Sequence, residues 1–224
     1  MAAFVLDALV TLGLRGGRLR IVDPACGEGV FLREARARFP EAELWGCDLD
    51  AGLAVAWTEF AHRPGVHLVV QDGLVDAPLL GVGAESFDLV VGNPPYGFDV
   101  PRERRGERIE VSFLKRFVEL ARLGGWIGVV VPEGIVANAR SQGLREWLLD
   151  RVDLAAVVAL PEATFARTGT RARTVVLLAR KGRADGRPAL LARPSAQVQG
   201  SDGLRGYLGD VLAALRNQVL GVGC

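Results

Sequence analysis

The chain has 224 residues, half of them hydrophobic, and a formal net charge of +1. This length suits one domain with a full core, and the even charge balance neither requires nor excludes a nucleic-acid partner. No apolar run approaches the ~18 residues of a membrane span, so we expect a cytoplasmic protein with no membrane partner. The three cysteines lack the spacing of a metal site, so no metal is expected.

Short apolar runs alternate with helical patterns along most of the chain. Strands are predicted at residues 19–22, 44–47, 66–70, 87–92, 126–131, 154–160 and 173–179. Helices are predicted at residues 2–13, 30–39, 110–123, 142–150 and 204–220. This alternation predicts an α/β fold with a doubly wound, Rossmann-like sheet of seven strands. Residues 182–188 have the composition of a linker, and a short apolar, strand-like piece follows at 189–191.

A glycine-containing loop follows the first predicted strand. Residues 23–29 are Asp-Pro-Ala-Cys-Gly-Glu-Gly, and they lead into the next helix. The loop has neither the glycine spacing of a dinucleotide fingerprint nor the lysine of a phosphate loop. An acid, Asp23, stands at the strand end instead, and Gly27 and Gly29 allow a ligand to approach the backbone. The loop therefore predicts a ligand that carries a cationic group and no phosphate.

Two more acids end the next two strands. Asp48 lies 25 positions after Asp23, close to the place of the ribose-binding acid in doubly wound folds. Asp72 ends the third strand, where a carboxylate can accept a hydrogen bond from an adenine amino group. Each acid taken singly is equally compatible with helix capping. Three acids in register favour an adenosine ligand with a positive centre, which describes S-adenosylmethionine.

The fourth predicted strand ends in Asn93-Pro94-Pro95-Tyr96. Two successive prolines fix φ and supply no N–H groups, so the turn is stiff. The Asn93 amide oxygen and the Pro94 carbonyl are hydrogen-bond acceptors, and Tyr96 offers a flat face for a planar ring. This combination suits a planar group with an amino substituent, such as adenine, cytosine or a carboxamide.

These motifs together resemble the N6-adenine DNA methyltransferases, including the modification subunits of restriction-modification systems. The resemblance rests on the segments DPACGEGVFL (23–32), CDLD (47–50), QDGL (71–74), NPPY (93–96), GGWIGVVVPEGIV (124–136) and LPEATFARTGTRARTVVLLARKG (160–182). It implies a methyltransferase domain over residues 1–182, whose last strand is antiparallel. It also implies S-adenosylmethionine as cofactor and DNA as partner.

The resemblance assigns roles to individual residues. Asn93, Pro94, Pro95 and Tyr96 would form the catalytic turn, and Tyr96 and Phe165 would stack on a flipped adenine. Cofactor contacts fall to Asp23, Pro24, Ala25, Cys26, Gly27, Gly29, Asp48, Leu49, Asp72 and Gly73. The expected reaction is methyl transfer to the adenine N6 amino group in DNA.

Two departures from the family bear on this expectation. The longer N-terminal segment that usually closes over the cofactor is missing, and residues 183–224 form an extension too short for a complete target-recognition domain. Target recognition then comes from a separate specificity chain, or it is weak, or the chain is truncated.

Two rival functions follow from the same residues. The NPPY turn also occurs in enzymes that methylate a glutamine side chain of release factors and in some that methylate rRNA, because a carboxamide NH2 resembles an adenine amino group. The second rival is a truncated subunit that binds cofactor and is inactive without its partner.

Overall fold

The computed structural model of the chain describes residues 1–75, 81–97, 107–162, 164, 173–184 and 186–221. Its strands are β1 Arg20–Asp23, β2 Glu43–Asp48, β3 Val66–Val70, β4 Phe87–Gly92, β5 Ala121–Pro132, β6 Val152–Ala159, β7 Thr174–Lys181 and β8 Leu190–Ala192. Its helices are α1 Ala2–Thr11, α2 Val30–Arg38, α3 Ala54–Ala61, α4 Ile109–Leu120, α5 Gly134–Ala137, α6 Gln142–Leu149 and α7 Gly200–Leu220.

The strands form one sheet in the order β3-β2-β1-β4-β5-β7-β6-β8. From β1 the chain builds outward through β2 and β3, and then crosses to the other side of β1 to place β4. The order therefore reverses between β1 and β4, and in open α/β sheets a ligand binds at the strand ends beside such a reversal. The predicted α/β class is confirmed, with β7 antiparallel to both β5 and β6.

The predicted count of seven strands was wrong. The strand-like piece near residue 190 is an eighth strand, and its partners on β6 run parallel to it, from Ala156 opposite Leu190 to Val158 opposite Ala192. Three residues with one exposed leucine between two half-buried neighbours are too short to give a clear alternating pattern. The antiparallel strand is therefore the seventh but not the last.

Apolar side chains cover both faces of the sheet. On one face α1, α2, α3 and α7 supply a core cluster, and on the other face α4, α5 and α6 supply a second. The predicted extension lies on the first of these faces, because Val211 and Leu215 of α7 are buried in that cluster. The Tyr207 hydroxyl also donates a hydrogen bond to the Ala159 carbonyl, at 2.9 Å. The domain boundary at residue 182 stays a prediction.

One boundary differs from the sequence prediction in a way that affects the site. Helix α4 ends at Leu120 rather than at residue 123, because Ala121 already pairs with Phe87 in the sheet. The helix is consequently tied at its carboxyl end to β4, the strand that carries the NPPY turn. No helix among the described residues is long and apolar enough to span a membrane.

Close packing of α1 on the sheet depends on a glycine of β5. A Cβ on Gly128 would lie 2.8 Å from Val5 Cγ1 and 3.0 Å from Leu9 Cδ1, both buried side chains of α1. We predict that Gly128→Ala lowers the free energy of unfolding by about 1–3 kcal/mol, the usual cost of overpacking a core.

The matched control is Gly206→Ala, at an exposed position of α7 where a Cβ would meet nothing within 4 Å. It should raise stability by about 0.5–1 kcal/mol, because alanine restricts the unfolded chain. Urea titration measures the free energy of unfolding of both variants. Equal changes in the two would contradict the close packing of α1 on Gly128.

Candidate active site

The loop after β1 is held by hydrogen bonds to β2 and α3. The Cys26 N–H donates to the Cys47 carbonyl of β2 at 2.9 Å, and the Trp57 indole of α3 donates to the Gly27 carbonyl at 2.7 Å. Gly27 and Gly29 have φ values of +53° and +81°, a conformation that favours glycine. The backbone of this loop is thus fixed before any ligand arrives.

Asp23 lies at the end of β1 and is almost completely buried. Its side chain is 1% exposed, and its Oδ1 accepts the Ala25 N–H at 3.1 Å. Burial is the main cause that raises the pKa of this carboxyl to about 8; the Ala25 hydrogen bond opposes the rise and the charge of Asp48 adds to it. At neutral pH the carboxyl is therefore mostly protonated, and a cation placed beside it would favour the ionised form.

Asp48 ends β2 and braces the same loop. Its Oδ2 accepts the Gly27 N–H at 2.9 Å and its Oδ1 accepts the Asp50 N–H at 3.1 Å. Both oxygens of an ionised carboxylate keep further lone pairs for a ligand hydroxyl. The next side chain, Leu49, is 72% exposed. An apolar side chain that is left this exposed beside the loop is available to cover a flat ring.

The loop after β3 passes very close to the loop after β1. A Cβ on Gly73 would lie 1.8 Å from the Pro24 carbonyl oxygen, so no other residue fits there. Asp72 caps this turn itself, because its Oδ1 accepts the Leu74 N–H at 2.9 Å. The structure therefore agrees with the capping interpretation of Asp72. The other oxygen, Oδ2, has no hydrogen bond among the described residues.

Arg116 of α4 also holds this loop, and sequence reasoning missed it. Its side chain is buried, and its guanidinium donates to the Gly73 carbonyl at 3.1 Å and to the Val75 carbonyl at 3.0 Å. Glu119, an exposed residue of the same helix, pairs with it at 3.4 Å. A charged residue on the apolar side of an otherwise amphipathic helix was the available signal.

The NPPY turn begins where β4 meets Asp23. A Cβ on Gly92 would lie 2.5 Å from Asp23 Oδ1, so the carboxyl rests directly against the strand that leads into Asn93. The Asn93 Oδ1 is buried and has no hydrogen-bond partner among the described residues. Such an atom costs roughly 1–3 kcal/mol relative to a bonded one. An unpaired acceptor at this position is suited to accept a hydrogen bond from the amino group of a substrate.

The other residues of the turn differ in exposure. Pro94 is buried, Pro95 is exposed, and Tyr96 is half-buried. Burial raises the pKa of the Tyr96 hydroxyl, and a hydrogen bond with the Asn93 side chain partly offsets that rise. The aromatic ring therefore remains a neutral, partly accessible surface beside Asn93.

A cavity of about 310 Å³ joins the cofactor loop to the NPPY turn. Its lining residues come from the start of α1, the loop after β1, the start of α2 and the turn: Met1, Ala2, Asp23, Ala25, Cys26, Gly27, Glu28, Val30, Phe31 and Asn93. The structure thus brings Asp23 and Asn93 to one space. Asp48, Leu49, Asp72 and Gly73 lie outside its lining, on the neighbouring strand ends.

A larger cavity of about 460 Å³ lies elsewhere, between α5, α6 and strands β6 to β8. Its lining is mostly apolar and includes none of the predicted site residues. We therefore place the candidate site in the smaller cavity, where an unpaired acceptor and a buried acid converge.

Several other predictions can be placed. Phe165 lies outside the described residues, so its stacking role stays a prediction. Phe113 is buried with Phe117 in the core cluster that α4, α5 and α6 supply. No group of three or more potential metal ligands occurs within the described parts of the chain.

Comparisons with known proteins agree with this geometry. A model of the family described as N-6 DNA Methylase matches residues 61–199. The modification methylase CviBIII of Paramecium bursaria Chlorella virus NC1A is 28% identical over 165 residues, which are 70% of this chain and 42% of that protein.

Two further comparisons differ in kind. A ribosomal RNA large subunit methyltransferase G of Streptomyces griseus is 37% identical over 91 residues, 38% of this chain and 22% of that protein. A candidate class I S-adenosylmethionine-dependent methyltransferase of Listeria monocytogenes superposes with a TM-score of 0.76 at 20% identity, over 97% of this chain and 70% of that one. The latter likeness concerns the fold.

The chain spans less than half the length of the curated relatives it matches. The family match nevertheless covers well over half of this chain, including β4 and the NPPY turn, and the fold and the orphaned acceptor agree with it. The chain belongs to the N-6 DNA methylase family.

Proposed function

We propose that the protein transfers a methyl group from S-adenosylmethionine to the N6 amino group of adenine in DNA. The observation that carries the proposal is the buried, unpartnered Asn93 Oδ1, which borders the same cavity as Asp23. An exocyclic amino group supplies the missing donor. Membership of the family supports adenine as its carrier.

The residues around the cavity fit the cofactor. When bound, S-adenosylmethionine supplies a methyl group that its sulfonium centre has already activated. Asp23, with its pKa near 8, is suited to accept the cationic part of the ligand, which would ionise the carboxyl. Asp48 has lone pairs left for ribose hydroxyls, and Leu49 is exposed enough to cover the adenine ring.

The turn acts on the amino group by accepting a hydrogen bond from each of its two N–H groups. Asn93 Oδ1 would accept one hydrogen bond and the Pro94 carbonyl the other, which draws the nitrogen out of conjugation with the ring and frees its lone pair. The nitrogen would bond to the methyl carbon as the bond between that carbon and sulfur breaks, and one N6 proton would then leave to solvent. The protein thereby contributes orientation and electrostatics. Because Pro94 and Pro95 stiffen the turn, little of this arrangement has to be ordered during the reaction.

Adenine inside a duplex cannot reach this cavity, so the base must be flipped out of the stack. Tyr96 is placed to stack on it, an interaction worth roughly 1–3 kcal/mol per base in nucleic-acid-binding proteins. Phe165 is proposed to close on the opposite face of the ring.

The rRNA alternative has one observation in its favour, since one relative is named as a ribosomal RNA methyltransferase. The same acceptors serve either nucleic acid, and a protein carboxamide as well. The identity of the methylated product decides among the three.

We also propose that sequence recognition is supplied from outside residues 1–221, for which a separate specificity chain is one source. After β7, the described residues form one short strand and one long helix, and both pack on the methyltransferase sheet or its helices. These residues are therefore part of the methyltransferase core, and base reading is left to residues or chains beyond them.

Replacing Asp23 tests the cofactor site. At pH 7 a carboxyl with a pKa near 8 is about 90% protonated. Because a cation binds the ionised form, cofactor binding should release about 0.9 proton at pH 7. Affinity should rise as the pH approaches 8 and level off above it. Asp23→Asn should bind more weakly and release no proton.

Calorimetry with S-adenosylmethionine in the absence of DNA, in two buffers of different ionisation enthalpy, measures this proton release. Asp202→Asn, a matched change at an exposed position of α7, serves as the control. Equal proton release by wild type and Asp23→Asn would show that another group holds the cation.

Replacing Asn93 tests the reaction. Asn93→Ala should lower kcat by about 10²–10³, the usual loss when one preorganised hydrogen-bonding group is removed from a transition state. Asn217→Ala, at an exposed position of α7, should leave kcat unchanged.

The assay follows labelled methyl transfer to genomic DNA free of N6-methyladenine, to rRNA and to a release-factor substrate, and it identifies each product after digestion. N6-methyladenine in DNA from wild type and the Asn217 variant is the expected result. Methylated rRNA or methylated glutamine in place of N6-methyladenine in DNA would contradict the proposal and support the corresponding alternative function.

A further inference from the structure

Glu110 is a charged residue in an unexpected place. It lies in the first turn of α4, on the side of the helix that buries Phe113 and Phe117, and its side chain is 0% exposed. Burying a carboxylate is costly unless it is paired and hydrogen-bonded. The partners of Glu110 therefore show what the residue stabilises.

One partner is the backbone of the catalytic turn. The Gly97 N–H donates to Glu110 Oε2 at 3.3 Å, across thirteen positions of sequence. Gly97 follows Tyr96 directly and has a φ of +85°, which favours glycine. Because Pro94 and Pro95 have no N–H, they cannot be anchored by donating a hydrogen bond. Gly97, the second residue after the prolines, provides an amide through which the turn is fixed.

The other partner is Arg108, whose guanidinium forms an ion pair with Glu110 Oε1. This contact is electrostatic only, because Oε1 has no hydrogen bond among the described residues. The Arg108 side chain is 57% exposed, so it compensates the buried charge from the solvent side. Glu110 thus has one oxygen for charge compensation and the other for the turn. This division of partners between the two oxygens explains why a carboxylate can remain at this buried position.

The body of α4 is fixed independently. Arg116, later on the same helix, donates hydrogen bonds to the Gly73 and Val75 carbonyls. One helix thereby connects the loop after β3 to the NPPY turn. A shift of the Glu110 contact would move the turn relative to the cofactor loops.

We propose that Glu110 is a positioning residue, which sets the place of the Asn93 and Pro94 acceptors through its hydrogen bond to Gly97. The inference rests on the proposed function and deepens it. Glu110 is not among the residues that line the candidate cavity. It acts on the reaction through the backbone of the turn.

Two substitutions separate the hydrogen bond from the charge. Glu110→Gln keeps an oxygen that can accept the Gly97 N–H and loses the charge. Glu110→Leu removes every acceptor and fills the buried space with an apolar side chain, and the 57% exposed Arg108 side chain that loses its partner can be hydrated instead. Glu59→Gln, on the exposed side of α3, is the control for loss of a carboxylate.

We expect the rate of methyl transfer to fall when residue 110 can no longer accept the Gly97 hydrogen bond. Glu110→Leu should lower the single-turnover rate on DNA by about 10–100-fold, because small misplacements of reacting groups have effects of this size. Glu110→Gln should stay within about threefold of wild type, since its acceptor remains. The Kd for S-adenosylhomocysteine should be unchanged in both variants. A merely structural role would lower the Tm and weaken cofactor binding together, without rescue by glutamine, and that result would overturn the proposal.

Hydrogen exchange provides a readout that needs no turnover. The Gly97 amide should exchange slowly in wild type and in Glu110→Gln, and rapidly in Glu110→Leu, as followed by NMR. Rapid exchange in the wild type would overturn the proposal even if Glu110→Leu failed to fold. If the wild type methylates no DNA while Gly97 stays protected through Glu110, the proposed function fails and the positioning role stands.

Discussion

The site depends on the contact between the Asp23 carboxyl and the backbone of Gly92. Strands β1 and β4 are neighbours in the sheet, about 4.8 Å apart as hydrogen-bonded strands are, and any side chain at position 92 would collide with the carboxyl. The acid that faces the cofactor loop and the amide that starts the catalytic turn are therefore held at a fixed separation. A methyl donor and a methyl acceptor bound at these two groups would meet without a large movement of the protein.

The strand order explains why the contact exists. Because β1 is placed between β2 and β4, its carboxyl end faces loops from both halves of the sheet. The ends of β1 and β2 and the loop after β3 provide the acids, and the turn after β4 provides the amide acceptor. Helix α4 then contributes two buried charges of opposite sign, one at the NPPY side and one at the loop after β3. The sheet sets the coarse geometry, and α4 fixes the loops that the sheet leaves free.

Much of this arrangement could be predicted from the sequence, because its signals are local. The apolar run of β4 ends at Gly92 as predicted, and the acids at 23, 48 and 72 follow strands as expected. The eighth strand was missed because three residues carry little periodicity. The roles of Glu110 and Arg116 were missed because they arise from contacts 13 and 43 positions away in sequence, which no local pattern encodes. The orphaned Asn93 oxygen likewise becomes visible only when its surroundings are known.

The most direct test of this account is a crystal structure of the chain with S-adenosylhomocysteine and a DNA duplex in which one adenine lies opposite an abasic site. An unpaired base lowers the cost of flipping. The account predicts the adenine in the cavity beside Tyr96, with its N6 nitrogen about 3 Å from both Asn93 Oδ1 and the Pro94 carbonyl oxygen. An adenine that binds elsewhere, with Asn93 Oδ1 bonded to a donor of the protein itself, would contradict it.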